Sequence, residues 1–257
     1  MNLKNCACIV TGSATGVGAA TVKLLASKGA NVVINYSKSE TEARQTDAAC
    51  RALGVDTLLV QGDVAQDADC RRLAQAALDR WGRIDALVNN AGTTKFADHR
   101  DLEALTAEDF QRVYAVNVIG AYQMVRACAP AMKRQGRGVV VNVSSIAGVI
   151  GMGSSIAYAA SKAALNNMTL TLARALGPEI RINAVCPGFI DGRWLREGLG
   201  DEVYETVRKR YRENAPLAST AQPEDIAETI VWLIEGAGLV TGETLMVDAG
   251  MHVALPR

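Results

Sequence analysis

Tyr158 and Lys162 stand four apart in the run AYAASKAAL, 157–165. In a helix that spacing stacks two side chains on one face, a turn apart, so a phenol and an ammonium would share one pocket, as a proton-transfer site requires. An exposed Tyr and Lys on an ordinary amphipathic helix have the same spacing, and the pair alone leaves both readings open. A second stretch with chemistry in it is TGSATGVG, which places Gly12, Gly16 and Gly18 in a G-x-x-x-G-x-G pattern behind the apolar run CACIV. Glycine permits positive φ in a turn, lets backbone approach a pyrophosphate, and lets a helix pack close on a strand. The helix opening at about Gly18 would offer free N–H groups and a positive dipole end to phosphates. No Gly-Lys-Ser/Thr follows, which excludes a Walker-type loop, so the pattern points to a dinucleotide.

These residues need a scaffold, and the rest of the chain supplies its pattern. Short β-branched runs at 6–10, 31–35, 57–61, 86–91, 139–144, 181–187 and 244–248 alternate with helical periodicity over 18–28, 40–53, 68–81, 107–134 and 158–176. Such alternation implies a parallel sheet covered on both faces. The expected fold is α/β, a Rossmann-type doubly wound parallel sheet of about seven strands. No repeat, linker or low-complexity tract divides the chain, so 1–257 reads as a single domain. The alternation breaks at about 188–220, where FIDGRWLREGLGDEVYETVRKRYRENAPLAST offers a charged helical stretch with little apolar face. An insertion beyond a strand's carboxyl end is where a substrate lid belongs.

Composition narrows the class. Hydrophobic residues make up 49% of 257, ample for a buried core, and 27 basic residues balance 27 acidic ones without a block of either sign. Neither nucleic acid nor an anionic membrane surface is therefore an expected partner. Cys6, Cys8, Cys50, Cys70, Cys128 and Cys186 fit no zinc spacing and no disulfide framework; they read as small reduced hydrophobes, with no metal expected. The N-terminus shows no charged leader and the chain no stretch of 18 apolar residues, which gives a cytoplasmic expectation.

The end of the second strand chooses between dinucleotides. An acid there holds the ribose 2′-hydroxyl of NAD and would repel the 2′-phosphate of NADP. In VVINYSKSE, Asn35, Tyr36, Ser37 and Lys38 offer donors and one cation, while the first acid, Glu40, comes late. NADP(H) is expected rather than NAD(H).

Eight short signals, TGSATGVG, GDV at 62–64, NNAG at 89–92, Asn117 in VNVIG, NVSS at 142–145, YAASK at 158–162, NAVCPG at 183–188 and TGETLMVDAG at 241–250, agree in order and spacing. Through them the chain resembles the short-chain dehydrogenases/reductases over essentially its whole length, and looks closest to the 3-oxoacyl-[acyl-carrier-protein]-reductase-like branch. The resemblance implies a cofactor site of Gly12, Ser13, Thr15, Gly16, Val17 and Gly18, continuing through Asn35, Tyr36, Ser37 and Lys38. Asp63 would accept from the adenine amine and Val64 would supply a backbone contact. Asn90, Ala91 and Gly92 would form the strand end against which the cofactor lies, with Tyr158, Lys162, Pro187, Gly188 and Ile190 at its nicotinamide end.

It further implies a catalytic set of Asn117, Ser145, Tyr158 and Lys162. Ser145 is chosen over Ser144 because the family's serine precedes its tyrosine by 13 residues. The implied reaction exchanges a hydride between nicotinamide and a carbonyl or secondary alcohol, a 3-oxoacyl thioester being one such substrate. Tyr158 would give the proton, Ser145 orient the carbonyl, Lys162 hold the nicotinamide ribose, and Asn117 position a water leading to Lys162. The Lys162 ammonium and the oxidised nicotinamide are expected to draw the Tyr158 phenol down toward neutral pH. Two positions depart from the pattern: Gly192 stands where the family commonly has a threonine that meets the nicotinamide carboxamide, and Thr15 where NADP-binding relatives often carry a base. A homotetramer is also implied, with helices over 107–134 and 158–176 offering pairing faces. The substrate pocket would be walled by residues after Thr93, by 147–155, and by the lid with Met152, Trp194, Leu195, Leu199, Arg193 and Arg196. The alternatives are an NAD-dependent sugar or polyol dehydrogenase and a cofactor-binding sensor without chemistry.

Overall fold

The computed structural model describes residues 1–254. Each β-branched run becomes a strand: β1 Ala7–Val10, β2 Asn31–Tyr36, β3 Thr57–Gln61, β4 Ala86–Asn89, β5 Gly138–Val143, β6 Ile180–Pro187 and β7 Thr244–Val247. All pair in parallel, in the order β3-β2-β1-β4-β5-β6-β7. The order reverses between β1 and β4, so the crossovers leave in opposite directions there and a crevice opens outside the carboxyl ends. Register brings those ends level: Val10 pairs with Val88, Asn89 with Asn142, and Val143 with Val185.

Helices cover both faces because strands this apolar must be buried on both sides. On one face α1 (Gly16–Ser27) packs beside α10 (Pro223–Glu235), burying Val22, Leu25, Ile226, Ile230 and Leu233. α10 is not among the helices the sequence periodicity marks, although Pro223 at its first turn and a capping box between Gln222 and Asp225 open it. On the other face α3 (Asp67–Trp81) and α5 (Ala121–Arg134) bury Leu73, Met124 and Met132. Each such side chain contributes about 1.5–3 kcal/mol of burial.

The stretch 107–134 is not one continuous helix. After α4 (Ala107–Tyr114) the backbone widens into a π turn over Ala115–Gly120 before α5 begins. Gly120 lies so close to β3's exit that a Cβ there would stand 2.8 Å from the Val64 side chain. The π turn directs Asn117 into the interior, a geometry that recurs at functional sites. The lid region also folds into helices, α8 (Arg193–Leu199) and α9 (Asp201–Asn214). The remaining helices are α2 (Glu40–Arg51), the short α6 (Ala147–Ile150) and α7 (Ile156–Leu176). Among the described residues, no helix is long and apolar enough to cross a membrane.

Candidate active site

The glycine loop crosses the crevice between β1 and α1 with its backbone against the end of β4. A Cβ on Gly12 (φ +61°) would stand 2.9 Å from Ala91 Cα, and one on Gly18 2.5 Å from both Gly12 O and Asn90 Nδ2. Gly16 instead faces open space, and Thr15, at the N-cap of α1, makes no side-chain cap bond. A loop of backbone donors at a helix N-terminus with room in front fits a dinucleotide pyrophosphate.

Several side chains expected to meet the cofactor are instead spent on holding this loop. Asn35 is 2% exposed; its Oδ1 accepts from Gly12 N at 2.9 Å and its Nδ2 donates to Gly62 O at 3.0 Å and Val60 O at 3.3 Å. It ties β2 and the β3 exit to the glycine loop and offers no free donor. Ser13 Oγ donates to Val10 O at 2.7 Å and accepts from Asn35 N at 3.0 Å. Asn90 Nδ2 donates to Thr11 O and Gly12 O, both at 2.9 Å, while the Asn90 and Ala91 N–H groups reach Thr11 Oγ1. Tyr36 is buried in the core, and the Val64 carbonyl accepts from Gln123 Nε2 at 2.8 Å. Val17 is partly buried at the start of α1.

Beyond β2 and β3 a cleft of about 620 Å³ is lined by Ser37, Lys38, Asp63, Asp69 and Arg72 along with 59–62. Ser37 and Lys38 are exposed there, and Glu40, the first acid, is neutralised by Arg44 at 2.6 Å. Arg72 donates to Gln61 O at 2.6 Å and pairs with Asp69. Its charge in the cleft is matched by that of Asp69. Asp63 Oδ1 accepts from Ala65 N at 3.0 Å, turning the chain toward α3.

At the other end of the groove the four expected catalytic residues approach one another. Tyr158 and Lys162 lie on the same face of α7, with Lys162 Nζ 5.5 Å from the Tyr158 ring centroid. Ser155 caps α7 by accepting from Tyr158 N. The Tyr158 hydroxyl faces Ser145, just past the end of β5, whose Oγ accepts from Ala147 N at 3.1 Å. Ser144 is buried and turned away, donating to Lys162 O at 3.2 Å. Asn117 is locked by Thr93 on both sides, accepting from its N–H at 2.8 Å and donating to its carbonyl at 3.0 Å, and also donates to Ser161 Oγ at 3.0 Å. Asn117 Oδ1 and Lys162 Nζ both border Gly92, at 3.5 and 3.7 Å from where its Cβ would be.

The Lys162 ammonium is 3% exposed and donates to Val143 O at 2.8 Å. One carbonyl takes one of its three protons, leaving donors beside Gly92. Burial brings its pKa down to about 8. Burial likewise pushes the Tyr158 phenol up to about 12, against the opposing influence of Ser145. The sequence expectation was a lowered phenol. The protein's own groups do the reverse, because Lys162 lies under the ring and bonds to Val143 rather than to the phenol oxygen.

The β6 exit closes the site. Ile146 N donates to Pro187 O at 3.0 Å and Gly188 N to Val247 O at 3.0 Å. Ile190 bridges to Ala221, where α10's lead-in returns. From this root α8 carries Trp194 to Tyr158, with ring centroids 5.9 Å apart, and to Phe96 at 5.7 Å. The Phe96 ring occupies the space a side chain at Gly198 would need. Phe96, Arg72, Asp191 and Tyr204 carry no local sequence mark; only chain crossings bring them to the site.

A family model described as Enoyl-(Acyl carrier protein) reductase, of the short-chain dehydrogenase/reductase type, matches residues 12–252. The chain belongs to the short-chain dehydrogenases/reductases. It is 41% identical to the "Granaticin polyketide synthase putative ketoacyl reductase 2" of Streptomyces violaceoruber over 245 residues, 95% of each chain. It is 36% identical to a 3-oxoacyl-[acyl-carrier-protein] reductase of Synechocystis, again over 95% of both. An NAD+-bound xylitol dehydrogenase structure superposes with a TM-score of 0.90 at 27% identity, covering 97% of this chain and all of that one. As a short-chain dehydrogenase/reductase the chain is an oxidoreductase that uses a nicotinamide cofactor.

Proposed function

We propose that this is an NADPH-dependent carbonyl reductase, run in the reducing direction on a carbonyl flanked by apolar groups, with 3-oxoacyl thioesters as the substrate class to test first. The observation that carries the reading is Tyr158 held between a buried Lys162 with unspent donors and the indole of Trp194, its hydroxyl facing Ser145. When bound, the nicotinamide supplies the hydride. Tyr158, a phenol and so protonated at neutral pH, gives its proton to the substrate oxygen as charge develops there. Ser145 donates to the same oxygen and holds the carbonyl in plane. Lys162 would hold ribose hydroxyls at Gly92, and Asn117, clamped on Thr93, keeps the wall of that pocket in place. Trp194 and Phe96 present aromatic surface where a polyol would need hydrogen-bond partners.

Lys38 in the adenosine-end cleft, with Glu40 paired to Arg44, supports NADP over NAD. Ile119, Tyr122, Ile156 and Leu170, exposed along the π turn, α5 and α7, support the homotetramer. The reading takes 1–257 as one domain working in the cytoplasm. A second reading, an NAD-dependent sugar or polyol dehydrogenase, draws on the likeness to xylitol dehydrogenase and on the uncharged Thr15. Cofactor oxidation with a β-ketoacyl thioester, a generic diketone and a set of sugars tests both. The expected kcat/KM favours NADPH over NADH by about tenfold or more, the worth of one charge-assisted phosphate contact. Equal kcat/KM values, or turnover of sugars alone, would replace it with the second reading.

A further inference from the structure

The root of the lid contains a nearly buried carboxylate that none of the catalytic steps above uses. Asp191, its side chain 12% exposed, follows the Ile190 bridge and precedes α8. Its Oδ1 accepts from Tyr204 Oη at 3.0 Å and Arg208 Nε at 2.7 Å, both on α9. Its Oδ2 accepts from Thr220 Oγ1 and Gln222 Nε2, each at 2.8 Å, and from Arg208 Nη2 at 3.3 Å. Five hydrogen bonds from four side chains fill the acceptor capacity of the carboxylate. The backbone on either side is fixed through the same hub. Asp191 N donates to Ala221 O at 2.8 Å, and Gly192 N donates at 3.3 Å to the Tyr204 hydroxyl that itself donates to Asp191. Tyr204 is held in turn by its ring, 5.3 Å from Phe189 and 4.1 Å from the Arg196 guanidinium.

Two residues beyond Gly192, on the first turn of α8, is Trp194, whose ring meets Tyr158. The direction in which α8 leaves the sheet therefore decides where that indole lies. We propose that Asp191 is the positioning residue of the substrate side: by gathering Tyr204, Arg208, Thr220 and Gln222 it fixes the root of α8 and thereby sets Trp194 over Tyr158. Asp191 touches no reacting atom; it acts through the helix it anchors. Burial opposes its charge, but hydrogen bonds from Thr220, Arg208 and Tyr204 outweigh that and hold the carboxyl below the usual carboxylate range. The hub thus stays charged throughout neutral conditions.

The kinetic part of this inference rests on the carbonyl-reductase reading; the structural part does not. Amide hydrogen exchange over 189–199, thermal midpoint and steady-state kinetics are measured on the full chain as wild type, Asp191→Asn and Tyr204→Phe. Asp191→Asn is expected to speed exchange over 189–199 by about tenfold or more. It should raise the KM for the carbonyl substrate by about tenfold while kcat stays within about threefold, because Tyr158, Ser145 and Lys162 belong to other elements. Tyr204→Phe, which leaves the ring and the Arg208 pairing, is expected to shift both readouts the same way by about threefold. Unchanged exchange in both variants overturns the proposal. So does a lowered midpoint with KM and kcat falling in step or not moving, the signature of a merely structural contact. If Asp191→Asn does not fold, Tyr204→Phe decides by the same criteria. If wild type reduces no carbonyl, the reductase reading falls, and exchange over 189–199 decides whether Asp191 fixes the root of α8.

Discussion

Two regions near the carboxyl ends of β5 and β6 take a charge out of water, and they treat it in opposite ways. Lys162 meets one backbone carbonyl and no carboxylate. Asp191 meets five donors, two of them from an arginine. A buried ion left short of partners is costly and moves its pKa toward neutrality, as Lys162 does. A fully satisfied one is fixed in its charged state and rigidifies what surrounds it. The contrast separates the part of the crevice built to receive something, beside Gly92 and the glycine loop, from the part built to hold its roof still.

The largest expected effect tests the receiving side. Tyr158→Phe removes one oxygen and leaves the ring against Trp194, so packing and cofactor binding should persist. Turnover should fall by about 10²–10⁴-fold, mainly in kcat, as loss of a general acid does. A variant that keeps more than about a tenth of wild-type turnover would show that another group gives the proton.

Next comes the charge itself. Lys162→Met should weaken NADPH binding by about tenfold or more, read by fluorescence titration, since ammonium contacts to hydroxyls are charge-assisted. Its effect on stability has a pH signature. The folded-state pKa of Lys162, about 8, lies below its ordinary 10.5. Between those values the unfolded chain binds more protons, so wild-type stability rises with pH across that window. At pH 7 the wild type carries the whole cost of the buried charge, which the methionine variant lacks, although Val143 O then loses its donor at about 1–3 kcal/mol. Urea midpoints of the two should therefore differ most in the variant's favour near pH 7, with wild type gaining on it between pH 8 and 10. A difference constant across that range would mean that Lys162 carries no buried charge.

The two regions also differ in how far they can be read from the chain. Tyr158 and Lys162 are legible because one helix turn joins them, and the glycine loop because its three glycines fall within seven residues. The hub around Asp191 is not, since its partners lie 13, 17, 29 and 31 positions along. The strands announce themselves by β-branched runs, but the π turn at 115–120 adds no sequence break, so 107–134 reads as one helix. Asn35 shows the limit at a single residue. Position at a strand end places it beside the cofactor groove, yet only the neighbouring strand reveals that its amide is already committed to Gly12 and Gly62.

The smallest expected effect asks whether the hub already does what a missing side chain would. Gly192 has φ 167° and ψ 172°, extended backbone open to any residue, and a Cβ there would meet nothing within 4 Å. Gly192→Thr should thus enter without strain, with the backbone N–H still bound to Tyr204. The new hydroxyl stands at the position from which the family's threonine reaches the nicotinamide carboxamide. One neutral hydrogen bond is worth about 0.5–1.5 kcal/mol net; since Asp191 and Tyr204 already order the loop, the gain should stay at the lower end. NADPH should bind about threefold tighter by calorimetry, with exchange over 189–199 unchanged in the free protein. Tightening beyond about tenfold, accompanied by slower exchange in that segment, would show a loop that the carboxylate had left loose, and the contrast between the two buried charges would lose its rigid half.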